Sequence, residues 1–279
     1  MKTLSLGYSP CPNDTFIFYA MIHGKIDTDG LKFKESLLDV ETLNQRALNA
    51  EFDLTKISYH AFGHMREKYA LLRSGSALGS GCGPIVVSKE LYPIEELRDK
   101  KIAIPGKLTT ASLLLQLCDP SFINSSNLII MPFNEIMDAV VNGDVDAGVI
   151  IHESRFTYVS YGLSRVIDLG QWWEKETGLP IPLGGILAKR KLGKELILMI
   201  DDLLRQSIEY SYNNRFESMG YIKQHSQELS DGVIKDHINL YVNNFTIDIG
   251  DEGEKAVVEL FSRAEDAGII PKSEQPLFI

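Results

Sequence analysis

The stretch from Ile94 to Ile151 constrains the fold more than any other part of the chain. Ile94 to Asp99 reads as a short helix. Lys101 to Gly106 reads as a buried strand ending in a turn, and Thr109 and Thr110 then open a helix carrying Leu113, Leu114, Leu115 and Leu117. Leu128 to Met131 is a strand, Asn134 to Val141 a helix, and Val145 to Ile151 another strand. Strands separated by helices are not joined as hairpins. They lie side by side in parallel, connected by crossovers. The expected class is therefore α/β, with a parallel sheet in the middle of the chain.

The flanks are organised differently. Thr3 to Tyr8 alternates apolar and polar residues as a strand does. The proline-locked turn Ser9-Pro10-Cys11-Pro12-Asn13-Asp14 follows, with Asn13 or Asp14 placed to cap the helix Phe16 to Ile22, which ends at Gly24. Leu31 to Leu37 is a strand, Asp39 caps a helix running to Leu48, and Leu54 to Tyr59 and Tyr69 to Arg73 are strands around a short helix from His60. The glycine-rich run from Ser74 to Pro84 precedes the strand Ile85 to Ser88. No Gly-Lys-Ser/Thr follows it, so it is a tight loop bringing backbone towards a cleft rather than a phosphate loop. Gly184 to Lys189 is the last extended segment. Leu192 to Asn213, Phe216 to His225, Asp231 to Asn243 and Glu252 to Gly268 are helical. This pattern predicts an inserted lobe, residues 89–188, within a frame of residues 1–88 plus 189–279. The chain would cross near Val87 to Leu91 and again near Gly184 to Lys189.

Composition narrows the partners. A formal net charge of -10 repels phosphate backbones, so nucleic acid is not expected as a partner. A local pocket of backbone amides and a lysine still suits a small anion. The first residues lack the apolar core of a secretory signal, and no run approaches a membrane span, so a cytoplasmic protein without membrane attachment is expected. Cys11, Cys82 and Cys118 are far apart and lack CxxC spacing, which predicts reduced thiols and no metal site.

Three segments carry a resemblance. Ser9-Pro10-Cys11-Pro12-Asn13-Asp14-Thr15-Phe16, Leu54-Thr55-Lys56-Ile57-Ser58-Tyr59 and Ile150-Ile151-His152-Glu153-Ser154-Arg155-Phe156-Thr157-Tyr158 resemble the 1,4-dihydroxy-6-naphthoate synthases of the futalosine route to menaquinone. The likeness runs from Gly7 to the terminal Pro276-Leu277-Phe278-Ile279. It implies a two-lobed fold of the type II periplasmic-binding-protein kind with the ligand between the lobes. It also implies a carbon–carbon lyase acting on cyclic dehypoxanthine futalosine, releasing 1,4-dihydroxy-6-naphthoate and dihydroxyacetone, with no metal or organic cofactor. The resemblance makes His152 the proton acceptor and places substrate-binding positions at Lys56, Ile57 and Ser58 and at Thr109 and Thr110.

The residues themselves fit those roles to different degrees. His152 stands where an apolar strand ends, the place at which open α/β sheets bind ligands, and histidine is the default base near neutral pH. Thr109 and Thr110 cap a helix whose free N–H groups suit a carboxylate. Lys56 is odd in an apolar strand: it reaches solvent, or it faces the cleft beside Ser58 two residues on. Asn13 and Asp14 shape one wall. Arg155 binds substrate or pairs with a local acid such as Glu153. Trp172 and Trp173 pack in the core or stack on an aromatic product. His23, His60, His64, His225 and His237 follow no pattern and are expected to be structural or solvated. A solute receptor, a chorismate dehydratase and a regulator's effector domain are the competing readings. The proline-turn and His152 motifs favour the synthase, and the charge and absent DNA-binding helices disfavour the regulator.

Overall fold

The computed structural model describes residues 2–226 and 230–279. Among them the strands are β1 (Lys2–Tyr8), β2 (Leu31–Leu37), β3 (Leu54–Ser58), β4 (Tyr69–Leu71), β5 (Ala77–Gly79), β6 (Ile85–Ser88), β7 (Ile102–Ile104), β8 (Leu128–Ile130), β9 (Ala147–Ile150), β10 (Ser164–Asp168) and β11 (Ile181–Lys189). They form two sheets. The first has the order β2-β1-β3-β11-β4, with β5 also pairing β11; the second has the order β10-β6-β9-β7-β8. Strands β7, β8 and β9, the three read from the helix–strand alternation, pair in parallel as that alternation requires.

The first lobe is built around the helix Pro12–Ile22. Residues Phe16 to Met21 are apolar on every side, so this helix has no face to give to water. It is buried against β1 and the tail helices Lys194–Asn213, Arg215–His225 and Asp231–Tyr241. Ser207 and Ser211 donate to the carbonyls of Ile17 and Phe16 at 2.7 and 2.8 Å, fixing the helix Lys194–Asn213 in register on it. Asp39 caps the helix Val40–Leu48 as expected, accepting from Thr42 N. Asn13 and Asp14 do not cap the first helix. Cys11 stands at the cap position, Pro12 fills the first helical position without a free N–H, and Asp14 turns back to accept from Ser9 N and Oγ at 3.1 and 2.7 Å.

The crossings differ from the sequence expectation. Strand β6 pairs antiparallel with β9 and β10, so it belongs to the second sheet, whereas β11 pairs with β3, β4 and β5 in the first. The chain therefore crosses at residues 80–84 and 169–180, ahead of both expected places. The reason is physical: Ile85-Val86-Val87 is uniformly apolar, which marks burial but does not choose between two sheets. The crossings touch. A Cβ added at Gly83 would lie 2.3 Å from the Cα of Gly170, and Leu169 N donates to Pro84 O at 2.9 Å. Strand β10 and the helix Leu169–Thr177 had no clear sequence signal. Trp173 within that helix is fully buried and donates to Pro180 O at 3.1 Å, so it packs rather than stacks on a ligand. No helix among the described residues is long and apolar enough to cross a membrane.

Candidate active site

A cleft opens between the lobes. Its walls include Asn13, Asp14, Lys56, Ile57, Ser58, Thr109, Thr110 and His152, together with Leu183, Gly184 and Tyr241. All but one of the residues singled out in the sequence thus meet in one place. The exception is Arg155, which donates to Gly83 O at 2.6 Å and to Asp168 Oδ2 at 2.7 Å and does not line the cleft. Its partner is Asp168 rather than Glu153. Because Asp168 also caps the helix Leu169–Thr177, Arg155 ties the second lobe to both crossings.

Lys56 and Ser58 share a face of β3, as their two-residue spacing requires. Lys56 is buried and meets Asp14 at 3.2 Å, with Gly75 O at 3.5 Å. Its charge is thus compensated within the protein. Asp14 is the hub of the wall: besides Lys56 it accepts from Ser9 twice and from Asn13 Nδ2 at 2.8 Å. Ser58 is held by Asn44, which accepts from Ser58 N at 2.9 Å and donates to Ser58 Oγ at 3.2 Å. Asn44 also donates to Leu108 O at 3.3 Å, and Glu41 accepts from Leu108 N at 3.2 Å, so the helix Val40–Leu48 of the first lobe grips the loop ahead of Thr109 in the second.

Thr109 caps the helix Thr110–Cys118, its hydroxyl accepting from Ser112 N and donating to Gly106 O. Thr110 donates its hydroxyl proton to Leu183 O at 2.5 Å across the lobes. What this turn offers a ligand is therefore its backbone N–H groups and the positive end of a helix nine residues long. They suit a carboxylate.

His152 follows β9 in a left-handed backbone conformation, φ 55°, which few residues other than glycine adopt. Its ring lies 5.0 Å from that of Phe133 and 6.1 Å from that of His237, the two imidazole planes inclined by only 9°. Burial lowers its pKa, while Glu153 and Asp14 act in the opposite direction, so the ring is neutral near pH 7. No hydrogen bond among the described residues reaches its ring nitrogens, which leaves a lone pair free for a ligand. Burial pushes the Cys11 thiol far up, so it stays protonated and is a poor base.

His237, expected to be structural or solvated, is fully buried, donates Nε2–H to Asn13 Oδ1 at 3.0 Å and lies 4.6 Å from the Tyr241 ring. A lone histidine on an amphipathic helix has no spacing to betray it. Among the described residues no group of three or more His, Cys, Asp or Glu is placed to hold a metal ion.

Two lobes joined by paired crossings, with Thr109, Thr110 and His152 lining the cleft between them, define a periplasmic-binding-protein-like fold. An alkanesulfonate-binding protein of Xanthomonas axonopodis bound to MOPS shares that fold at 15% identity and a TM-score of 0.69, covering 98% of this chain and 95% of its own. An Archaeoglobus fulgidus protein of known crystal structure is more similar: 38% identity, TM-score 0.89, 96% of this chain and 98% of that one. A family model described as menaquinone biosynthesis matches residues 4–266. The 1,4-dihydroxy-6-naphthoate synthase of Thermus thermophilus is 48% identical over the whole of both chains. That of Streptomyces coelicolor is 41% identical over 96% of this chain and 95% of its own. The chain belongs to the 1,4-dihydroxy-6-naphthoate synthase family and is an enzyme of menaquinone biosynthesis.

Proposed function

We propose that the chain cleaves cyclic dehypoxanthine futalosine to 1,4-dihydroxy-6-naphthoate and dihydroxyacetone in the cytoplasm, with His152 as the general base. The observation that carries this reading is the placement of a neutral, unbonded imidazole at the end of β9, lining the same cleft as the N-terminus of the helix Thr110–Cys118. The substrate carboxylate meets the amides of that turn and Ser58, which orients the ring system. His152 then removes a proton from carbon or hydroxyl, the carbon–carbon bond to the three-carbon fragment breaks as the new ring becomes aromatic, and the imidazolium returns the proton to the fragment, which leaves as dihydroxyacetone. Aromatisation supplies much of the driving force. The protein contributes orientation, a cleft shielded from water and a positioned base, the last worth about 10²–10⁴-fold in rate.

Incubating the purified protein with cyclic dehypoxanthine futalosine and analysing the products by mass spectrometry tests the activity. His152→Ala tests the base: it should fold, bind substrate and lose at least about 10²-fold in kcat. Near-normal turnover in that variant removes His152 from the mechanism. Turnover of a chorismate-derived substrate in its place would point to the dehydratase reading.

A further inference from the structure

Beside His152 lie two buried polar atoms that have no hydrogen-bond partner among the described residues, Glu153 Oε2 and His237 Nδ1. They face each other across the lobes at 4.0 Å. The bonds around them determine which proton is missing. Asp14 is a carboxylate that accepts from Ser9, Asn13 and Lys56. Asn13 must therefore turn its NH₂ towards Asp14 and its carbonyl towards His237. His237 Nε2 then carries the hydrogen, and in a neutral imidazole Nδ1 is an acceptor. Two acceptors, Nδ1 and Oε2, point at one another, and a single proton turns that opposition into a bond. Both atoms are sealed from solvent, and a shift of about 1 Å brings them to hydrogen-bond distance.

His152 needs such a device. In a nucleophile–base–carboxylate arrangement a hydrogen bond to the far nitrogen sets the ring; here no such bond exists among the described residues. The His152 ring has Phe133 beside it at 5.0 Å, tilted by 56°, and His237 nearly parallel to it at 6.1 Å. We propose that His237 is a positioning residue for His152: with Glu153, the next residue along the chain, it forms a one-proton clasp between the lobes that sets the His152 ring against the substrate. The clasp rests on the reading of His152 as the base. His237 is neutral before the clasp closes, and the closing proton is shared between Nδ1 and Oε2. The other titratable groups around the clasp are Cys11 and Asp14 at the first helix, Lys56 on β3, and Tyr241 one turn along from His237.

The test compares His237→Leu, Glu153→Ala and Glu153→Gln with the parent enzyme and with His152→Ala, reading kcat and KM separately across pH and checking folding by circular dichroism. Glu153→Gln presents an amide N–H to Nδ1 and restores the bond without a titrating proton. His237→Leu should lower kcat by about 10-fold or more with KM changed less than about threefold. Glu153→Ala should do the same, and Glu153→Gln should recover most of the loss and flatten the pH dependence of kcat. A folded His237→Leu with parental kcat, or Glu153→Gln as impaired as Glu153→Ala, overturns the clasp. If His237→Leu fails to fold, the Glu153 pair decides alone. Turnover in His152→Ala instead overturns the reading of the base, a result separable from either outcome.

Discussion

Lys56 and Asp14 form a buried ion pair whose two halves are unequally supported, which makes an asymmetric prediction. The pair is 3.2 Å apart, with side chains 8% and 1% exposed. Removing one member of such a pair strands the other and costs about 3–5 kcal/mol. Lys56→Met leaves Asp14 still accepting from Ser9 N, Ser9 Oγ and Asn13 Nδ2. That carboxylate is well solvated by the protein, so the cost falls near the lower limit, about 3 kcal/mol. Asp14→Asn leaves the Lys56 charge with neutral acceptors, an amide oxygen and the Gly75 carbonyl at 3.5 Å, and sets the amide NH₂ against the Ser9 N–H. Its cost falls near the upper limit, about 5 kcal/mol. At about 2–4 °C per kcal/mol, Tm should drop roughly 6–12 °C for Lys56→Met and 10–20 °C for Asp14→Asn. The double variant should be less destabilised than the two singles summed, because neither charge is then stranded. Thermal and urea denaturation of the three variants measure this. If Asp14→Asn is the milder single change, or the two costs simply add, the argument that bonding to the stranded partner decides the cost is wrong.

Three other substitutions probe the frame and the cleft. Gly83→Ala and Gly170→Ala each force the crossings apart and should lower the denaturation midpoint clearly, whereas Gly220→Ala, in the helix Arg215–His225 with nothing within 4 Å of the added methyl, should raise stability by about 0.5–1 kcal/mol. His60 is held by burial at a pKa of about 4 against an ordinary 6.5, so the unfolded chain takes up its proton first as pH falls. Stability should be intact above about pH 6.5 and decline towards pH 4, and His60→Gln should flatten that part of the urea-midpoint profile. Thr110→Val leaves Leu183 O unpaired at the cleft wall and should lower stability by about 1–3 kcal/mol, read as a lower urea midpoint; an unchanged midpoint would show that this bond between the lobes contributes nothing.

The parts of the fold that were legible in the sequence are those whose causes are local. Asp39 precedes its helix by one residue and caps it, and the alternation around β7, β8 and β9 leaves only parallel pairing. Lys56 stood out as a charge in an apolar strand, but its partner Asp14 lies 42 positions earlier in the chain, beyond any periodicity, so its place on the cleft wall was legible and its ion pair was not. Arg155 likewise finds Asp168 on a strand that carried no clear pattern. His237 was invisible for the same reason: its meaning comes from Asn13, more than two hundred residues away. The site's motif residues could be read because they cluster in short segments; what orients them could not, because it is assembled only by tertiary contact.

The meeting of Gly83 and Gly170 has a mechanical meaning. Two connectors pressed together at one spot act as a spine, and lobes joined by a spine part like the covers of a book. Away from the spine, Glu41 and Asn44 hold Leu108 across the lobes and form a fore-edge to be released when the covers part. A molecule cut in two inside such a book leaves as two pieces through one gap, so the weak bonds of the fore-edge, rather than the chemistry within, are where a limit on the pace of turnover would be felt.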